Sequence, residues 1–413
     1  MNKSVTIQGW FSKAHVFCFL VFRRASSRIL RLTLSNVIFK DYGVYLYGVS
    51  CSNVIISNCS FINCDSAVVL KQLPSRVCRK SSLEITDTEF LYNNISVNAK
   101  LSHDFFLLKI SRCVFQGNMG SSNVISSKNN VNGNVYIESI IYRNGIHVYG
   151  MIADSVFKEL GHLNDAFALS FKLYGFFSAG NLSISNTTFL NDRHALFAYG
   201  SFQVQLTKVT INYTYGHAIM ASGPPKVNAR IVGIKVFLEH CTVGHNRYGI
   251  TMAINICVSV MNCSAGEKTL DVRHSSFLGT IETQDTGHAI SFQVDDGNLR
   301  PAFIEAAIIL ENVTFQEIHG FVLESSIQRN VRGLIIVKNC TFLNNSQFVH
   351  QLNDISTVKI EFDEEHPPPK SSLRKKSNSC EFIWKNNYQF PVIFKNTIFK
   401  DNLIWYLGSF DVF

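Results

Sequence analysis

The sequence predicts an all-β fold, a solenoid of stacked coils with three short strands in each coil and loops inserted between coils. Three observations carry this expectation. An eight-residue unit, typified by Val54-Ile55-Ile56-Ser57-Asn58-Cys59-Ser60-Phe61, recurs twelve times in 413 residues. A weaker strand-like motif follows most copies. At the tightest, copies stand 22 residues apart, from Phe39 to Phe61 and from Phe189 to Ile211, which is room for three short strands and three turns.

Within the unit the first four positions alternate, so Val54 and Ile56 share one face of a short strand. Asn58 breaks the alternation. Its short amide makes Asn the non-glycine residue best suited to left-handed backbone. One residue bent there re-aims the chain, so that Cys59 and Phe61 face the side already faced by Val54 and Ile56. Such a rung cannot bury its apolar side alone and must stack on others like it.

The copies are 32–39, 54–61, 83–90, 108–115, 150–157, 182–189, 204–211, 236–243, 270–277, 308–315, 335–342 and 392–399. Asn36, Asn58, Asn186, Asn312, Asn339 and Asn396 hold six corners, and their side chains are expected to pack into a ladder. Asp87, Asp154, Arg112, Lys208, His240 and His274 hold the others. Phe closes ten of the twelve copies. A spacing Phe-x-x-Asn then recurs (Phe90 to Asn93, Phe115 to Asn118, Phe342 to Asn345, Phe399 to Asn402). A polar or glycine turn enters the third strand, as in Gly216-His217-Ala218-Ile219 and Gly287-His288-Ala289-Ile290.

Composition agrees. A hydrophobic content of 46% with 16% charged residues suits a continuous core and excludes a disordered chain. The net charge of +8 favours anionic partners only weakly, and the scattered basic residues show no nucleic-acid-binding pattern. The apolar run 14–22 (AHVFCFLVF) is shorter than the ~20 residues a bilayer span needs, so no transmembrane segment is expected. Arg23-Arg24 stand where cleavage-site residues belong, so this run reads as part of a first coil and any export signal is expected upstream. Neither end reads as a polar cap, so the chain is expected to be one β-helical domain, 1–413, of a longer array. The widest gap, Phe342 to Phe399, holds a stretch 354–380 with acidic, triple-proline and basic (KSSLRKK) segments, expected to be an exposed loop.

Eleven cysteines are present. Cys59, Cys113, Cys241 and Cys340 share the position after the corner and are expected in the core. Cys51, Cys64, Cys78, Cys257, Cys263 and Cys380 lie off that position and could include disulfides. None has zinc spacing.

On these residues the chain resembles the right-handed parallel β-helix proteins of the pectate-lyase-like superfamily. Its Asn-Cys-Ser/Thr-Phe and Phe-x-x-Asn patterns are similar to repeats of chlamydial polymorphic outer-membrane proteins and of animal secreted β-helix proteins. The resemblance implies a right-handed coil and leaves activity open, since this fold hosts lyases, hydrolases, adhesins and inert scaffolds. Polygalacturonase-like enzymes carry Asn-Thr-Asp, Asp-Asp, Gly-His-Gly and Arg-Ile-Lys. Here Asp295-Asp296 is present, Gly216-His217 and Gly287-His288 continue as Ala-Ile, and the other two motifs are absent. Asp285, His288, Asp295 and Asp296, beside Glu282, are the weak catalytic candidates, with a plain polar loop as the competing reading. Calcium enters only under a lyase reading; otherwise no cofactor or metal is expected.

Ten Asn-x-Ser/Thr sequons occur. Asn58, Asn186, Asn312 and Asn339 are corner residues and are expected to be packed away. Asn94, Asn181, Asn212, Asn262 and Asn344 are the glycosylation candidates, with Asn2 at the start of the chain. The expectation is a non-catalytic extracellular or cell-surface scaffold, adhesion or recognition module, with glycans or surface proteins as partners. The alternative is a diverged polysaccharide lyase or glycoside hydrolase acting on acidic polysaccharide.

Overall fold

The computed structural model describes residues 3–8, 14–16, 20–23, 29–49, 51–72, 80–102, 105–119, 133–139, 146–161, 166–173, 178–222, 234–255, 268–280, 287–295, 304–318, 320–327, 331–345, 358–362, 382–384 and 392–400. All regular structure among them is β-strand. The chain divides into two compact units, Met1–Phe202 and Gln203–Phe413, and each is a parallel β-helix.

In the first unit one coil is Lys80–Thr86, Glu89–Leu91 and Ile95–Leu101, and each strand pairs in parallel with its counterparts in the coils before and after. Three parallel sheets result. The first runs through Lys3–Gln8, Ile29–Ser35, Cys51–Ser57, Lys80–Thr86, Phe105–Ser111, His147–Ala153 and Ala179–Ser185. In the second unit the same sheet position is held by Ile234–Glu239, Lys268–Arg273, Ile304–Glu311, Val331–Lys338 and Val392–Lys395, all parallel. Phe382–Trp384 joins the last of these antiparallel. Val358–Phe362 pairs with Gly320–Ile327 in the third sheet. Part of the expected 354–380 loop is therefore a strand; 354–357 and 363–380 lie outside the described residues.

Register makes the core. Strands ~4.8 Å apart place equivalent side chains face to face. Phe39, Phe61, Phe90, Phe115, Phe157 and Phe189 stack in one column, with centroids 4.6–5.1 Å apart. In the second unit Phe277, Phe315, Phe342 and Phe399 repeat the column at 4.7–5.0 Å. Each pair contributes about 0.5–1.5 kcal/mol beyond the area it buries.

All twelve corner residues take left-handed backbone, with φ between 45° and 57°. Their side chains point the other way from the expectation. The residue two before the corner and the residue after it fill the interior, as Ile56 and Cys59 do around Asn58, so the corner Cβ turns outward. Asn58, Asn186, Asn312 and Asn339 are exposed. They form an external row rather than a packed ladder: Asn58 Nδ2 donates to Asn36 Oδ1 at 2.6 Å, Asn186 Nδ2 donates to Asp154 Oδ1 at 3.2 Å, and Arg112 holds Asp87 through two bonds. That pairing keeps the Asp87 carboxyl below its usual range, chiefly through the Arg112 hydrogen bonds. In the second unit the His240 and His274 rings stack at 5.1 Å.

A second left-handed corner, invisible in the composition of the repeat, sits two residues after the closing apolar residue. Asp41, Asn63, Tyr92, Glu159, Asn191, Tyr213, His245, Glu317 and Asn344 all have φ between 49° and 66° there. Left-handed backbone costs a residue such as Tyr or Glu about 1–2 kcal/mol. Each corner amide offsets part of it by donating to the next coil, as Tyr92 N does to Gln116 O at 2.9 Å and Glu159 N to Leu190 O at 3.0 Å. Gly117 holds this corner at φ 64°, where an added Cβ would lie 2.6 Å from the Tyr92 ring. The tyrosine ring of one coil thus occupies the space beside the bare corner of the next.

The residue after the second corner turns inward and builds the ladder that the first corner lacks. Asn93 Oδ1 accepts from Cys64 N at 2.8 Å and its Nδ2 donates to Phe61 O at 3.0 Å. Asn118 repeats this on Asn93 N and Phe90 O, Asn246 on Thr214 N and Ile211 O, and Asn345 on Ile318 N and Phe315 O. All four are buried. Each amide satisfies one donor and one acceptor that a sheet-to-sheet bend would otherwise orphan.

Candidate functional site

Function on such a coil must lie on its outward faces, because the interior is filled. The second unit carries a groove of ≈ 320 Å³ lined by Gln203, Gln205, Leu206, Phe237, Leu238, Glu239, Asp271 and Arg273. This lies at the small end of the range for small-molecule sites. Its walls follow from strand alternation. In Ile234–Glu239 the side chains of Val236 and Leu238 are buried, so Phe237 and Glu239 face out. In Lys268–Arg273, Leu270 and Val272 point inward and Asp271 and Arg273 outward. The register sets Phe237 beside Asp271 and Glu239 beside Arg273.

Asp271 is only 8% exposed although it stands on the outer face. Arg273 holds it from one side, with Nε donating to Oδ1 at 2.9 Å and Nη2 to Oδ2 at 3.0 Å. Those hydrogen bonds raise the pKa of Arg273 further above its usual value. Both carboxylate oxygens are thus engaged by a guanidinium that does not release its proton. The next coil extends an alternating row. Glu311, in register with Arg273, takes an ion pair from Lys338 at 2.5 Å, whose hydrogen bond lowers the Glu311 pKa.

Chemically the groove offers one aromatic face, two primary amides, one guanidinium and two carboxylates. Glu239 and Asp271 against Arg273 leave it with a formal charge of −1. Among the described residues no group of three or more His, Cys, Asp or Glu could hold a metal ion. On the outer face of the first sheet in the first unit, Phe105 stacks on Tyr149 at 5.0 Å, and Tyr149 and Met151 are 43% and 50% exposed.

Asp285 and Asp296, with Glu282, fall outside the described residues. His288 and Asp295 belong to one strand, Gly287–Asp295. Seven residues of extended chain put their backbones ~23 Å apart, so one reaction centre cannot use both. His217 and His288 do share a register row, through Tyr248. Of the glycosylation candidates, Asn181 and Asn344 are exposed, while Asn94 and Asn212 are half-buried. Asn94 Nδ2 donates to Asp65 Oδ1 at 3.2 Å. Asn262 and Asn2 lie outside the described residues.

The groove was missed in the sequence because Phe237, Asp271 and Arg273 belong to no motif and meet only through register. A signal existed in retrospect: Phe237, Glu239, Asp271 and Arg273 occupy outward positions of two successive copies, where the copy before carries Gln205 and Thr207 and the copy after Ile309 and Glu311.

The cysteines whose side chains are described are structural. Cys59, Cys64, Cys113, Cys241 and Cys340 are buried free thiols. Cys64, which the sequence left open to disulfide bonding, occupies the inner ladder position, its Sγ donating to Tyr42 O at 3.2 Å. Burial pushes the Cys64 thiol up to about 12, and those of Cys113 and Cys340 up to about 11. These three are therefore not nucleophiles at neutral pH.

Among the described residues no helix is long and apolar enough to cross a membrane. A scan against protein-family models found no match for the chain, and a search of curated proteins found none either.

Proposed function

We propose that the chain is a non-catalytic recognition module of an extracellular or cell-surface β-helix, and that the groove of its second unit takes a neutral, hydroxyl-rich glycan. The observation that carries this is the Asp271–Arg273 pair. With both Asp271 oxygens bonded to Arg273, the groove keeps a single unpaired carboxylate, Glu239, and lacks the matched acid and base that glycoside hydrolysis uses. The amides of Gln203 and Gln205 and the outer edge of Arg273 suit sugar hydroxyls, which both donate and accept. Phe237 suits the apolar face of a sugar ring.

The groove's formal charge of −1 argues against an acidic polysaccharide there, and with it against the lyase and hydrolase alternative at this position. The superfamily resemblance supports the extracellular setting and a face used for elongated ligands. Purified protein titrated with neutral oligosaccharides should bind without cleaving them, and Phe237→Ala with Arg273→Ala should abolish binding. Release of shorter sugars by the wild-type protein, lost in Glu239→Gln, would overturn the reading in favour of an enzyme.

A further inference from the structure

The outward turn of the first corner has a consequence for the sequons that arise from the repeat. Four corner residues, Asn58, Asn186, Asn312 and Asn339, are sequon asparagines with exposed side chains. They are not equivalent. Asn58 Nδ2 is tied to Asn36 at 2.6 Å and Asn186 Nδ2 to Asp154 at 3.2 Å. Asn312 and Asn339 make no side-chain hydrogen bond among the described residues, and their backbone amides alone are engaged, donating to Lys338 O at 3.0 Å and Lys395 O at 2.9 Å.

Their settings favour substitution at nitrogen. Left-handed backbone, with φ 55° at Asn312 and 52° at Asn339, directs Cβ away from the coil. The hydroxyl residues of the two sequons, Thr314 and Thr341, are half-buried in the second sheet, so the folded chain presents the asparagine and holds the threonine. Asn212 is the contrast. Its Oδ1 is buried and lies 2.5 Å from where a Cβ on Gly244 would stand. The Asn212 amide is thus packed against Gly244 of the neighbouring coil in a half-buried setting, whereas the side chains of Asn312 and Asn339 are exposed.

We infer that Asn312 and Asn339 are N-glycosylation sites of the folded chain, and that Asn212, despite its sequon, is not. The transfer forms a bond between Asn Nδ2 and C1 of an oligosaccharide. It breaks the C1–O bond to a lipid diphosphate donor, the lipid diphosphate leaves, and the Nδ2 proton passes to a base of the transferase. This rests on the extracellular part of the proposed function for its biological setting, and not on the groove.

The test separates the two. The chain is expressed in a eukaryotic cell behind a supplied signal sequence, so that entry to the secretory route does not depend on its own targeting. Peptides from the medium and from the cell extract are treated with an amidase that converts each glycosylated Asn to Asp in heavy-oxygen water, and the label is mapped. Label at Asn312 or Asn339 in the secreted fraction, with none at Asn212, is the expected result. It should be accompanied by a loss of one or two glycan masses in the Asn312→Gln/Asn339→Gln variant and no loss in Asn212→Gln. Secreted protein labelled at Asn212, or label absent from both corners in medium and extract alike, would overturn the inference and leave the groove untouched.

Discussion

At position 192 the inner ladder carries an acid where Asn93, Asn118, Asn246 and Asn345 carry amides. Asp192 is fully buried, and its Oδ1 accepts from Leu160 N at 2.9 Å, as Asn93 and Asn118 accept from their own neighbours. The other half of the motif is missing. Asn93 and Asn118 donate Nδ2 to the closing Phe carbonyl of an earlier coil, but Asp192 Oδ2 has no partner. Burial pushes its pKa well above the usual carboxylate value, with backbone donation from Leu160 opposing and Glu159 adding. Burial thus favours the protonated form, and Oδ2 occupies the side of the group from which an amide would donate without making that bond.

Asp192→Asn should restore that donor. An orphaned buried group costs about 1–3 kcal/mol, so the variant should be more stable at pH 7 by roughly that amount. For a unit of this size each kcal/mol moves the Tm by about 2–4 °C. The sign with pH follows from linkage. A raised folded pKa means the folded state holds the proton more tightly, so wild-type stability is fullest below the unfolded value of about 3.9 and is lost as pH rises through the folded pKa. The stability difference, Asn over Asp, should therefore widen from pH 4 to pH 8. Urea unfolding of both proteins across that range measures it. A variant no more stable than wild type at pH 7, or a difference that does not change with pH, would refute the ladder argument.

Further outcomes follow from the same geometry. Asn118→Leu removes a donor and an acceptor at once and leaves Asn93 N and Phe90 O orphaned, so it should cost about 2–4 kcal/mol in urea unfolding. Gly117→Val places a branched side chain at φ 64° and against the Tyr92 ring, and should cost more than ~2 kcal/mol; Tyr92→Gly in the same chain should recover part of it. The five buried thiols should resist iodoacetamide at pH 8 in the folded protein and all react in urea, read by mass. Arg112→Ala, by contrast, cuts an exposed pair and should leave the urea midpoint close to that of wild type, the small effect vanishing in high salt.

The fold was legible because the repeat reports on stacking. Val54, Ile56 and Phe61 need partners above and below, and twelve copies supply them. The direction of the corner side chains was not legible. Asn58 satisfies the left-handed backbone whether its amide packs inside or faces water, and only the occupancy of the interior by Ile56 and Cys59 decides it. Tyr92, Glu159 and Tyr213 hid the second corner, because they are residue types that rarely adopt its conformation and do so here under the constraint of neighbouring coils. Asn93 was visible as part of Phe-x-x-Asn, but Asp192 and Cys64 share its position without being Asn, and Asn246 follows Val243 where the pattern has Phe. The groove was the least legible of all, because Asp271 and Phe237 are brought together by strand register across a gap of 34 residues, 271 minus 237.

Isothermal titration of the second unit's groove, in the full chain, against a panel of neutral and uronic-acid oligosaccharides tests the central claim most directly. Saturable binding of a neutral member, lost in Phe237→Ala and in Arg273→Ala, with no shorter sugars in the cell afterwards, is the predicted result. Tight binding of the acidic members instead, unaffected by either substitution, would contradict it.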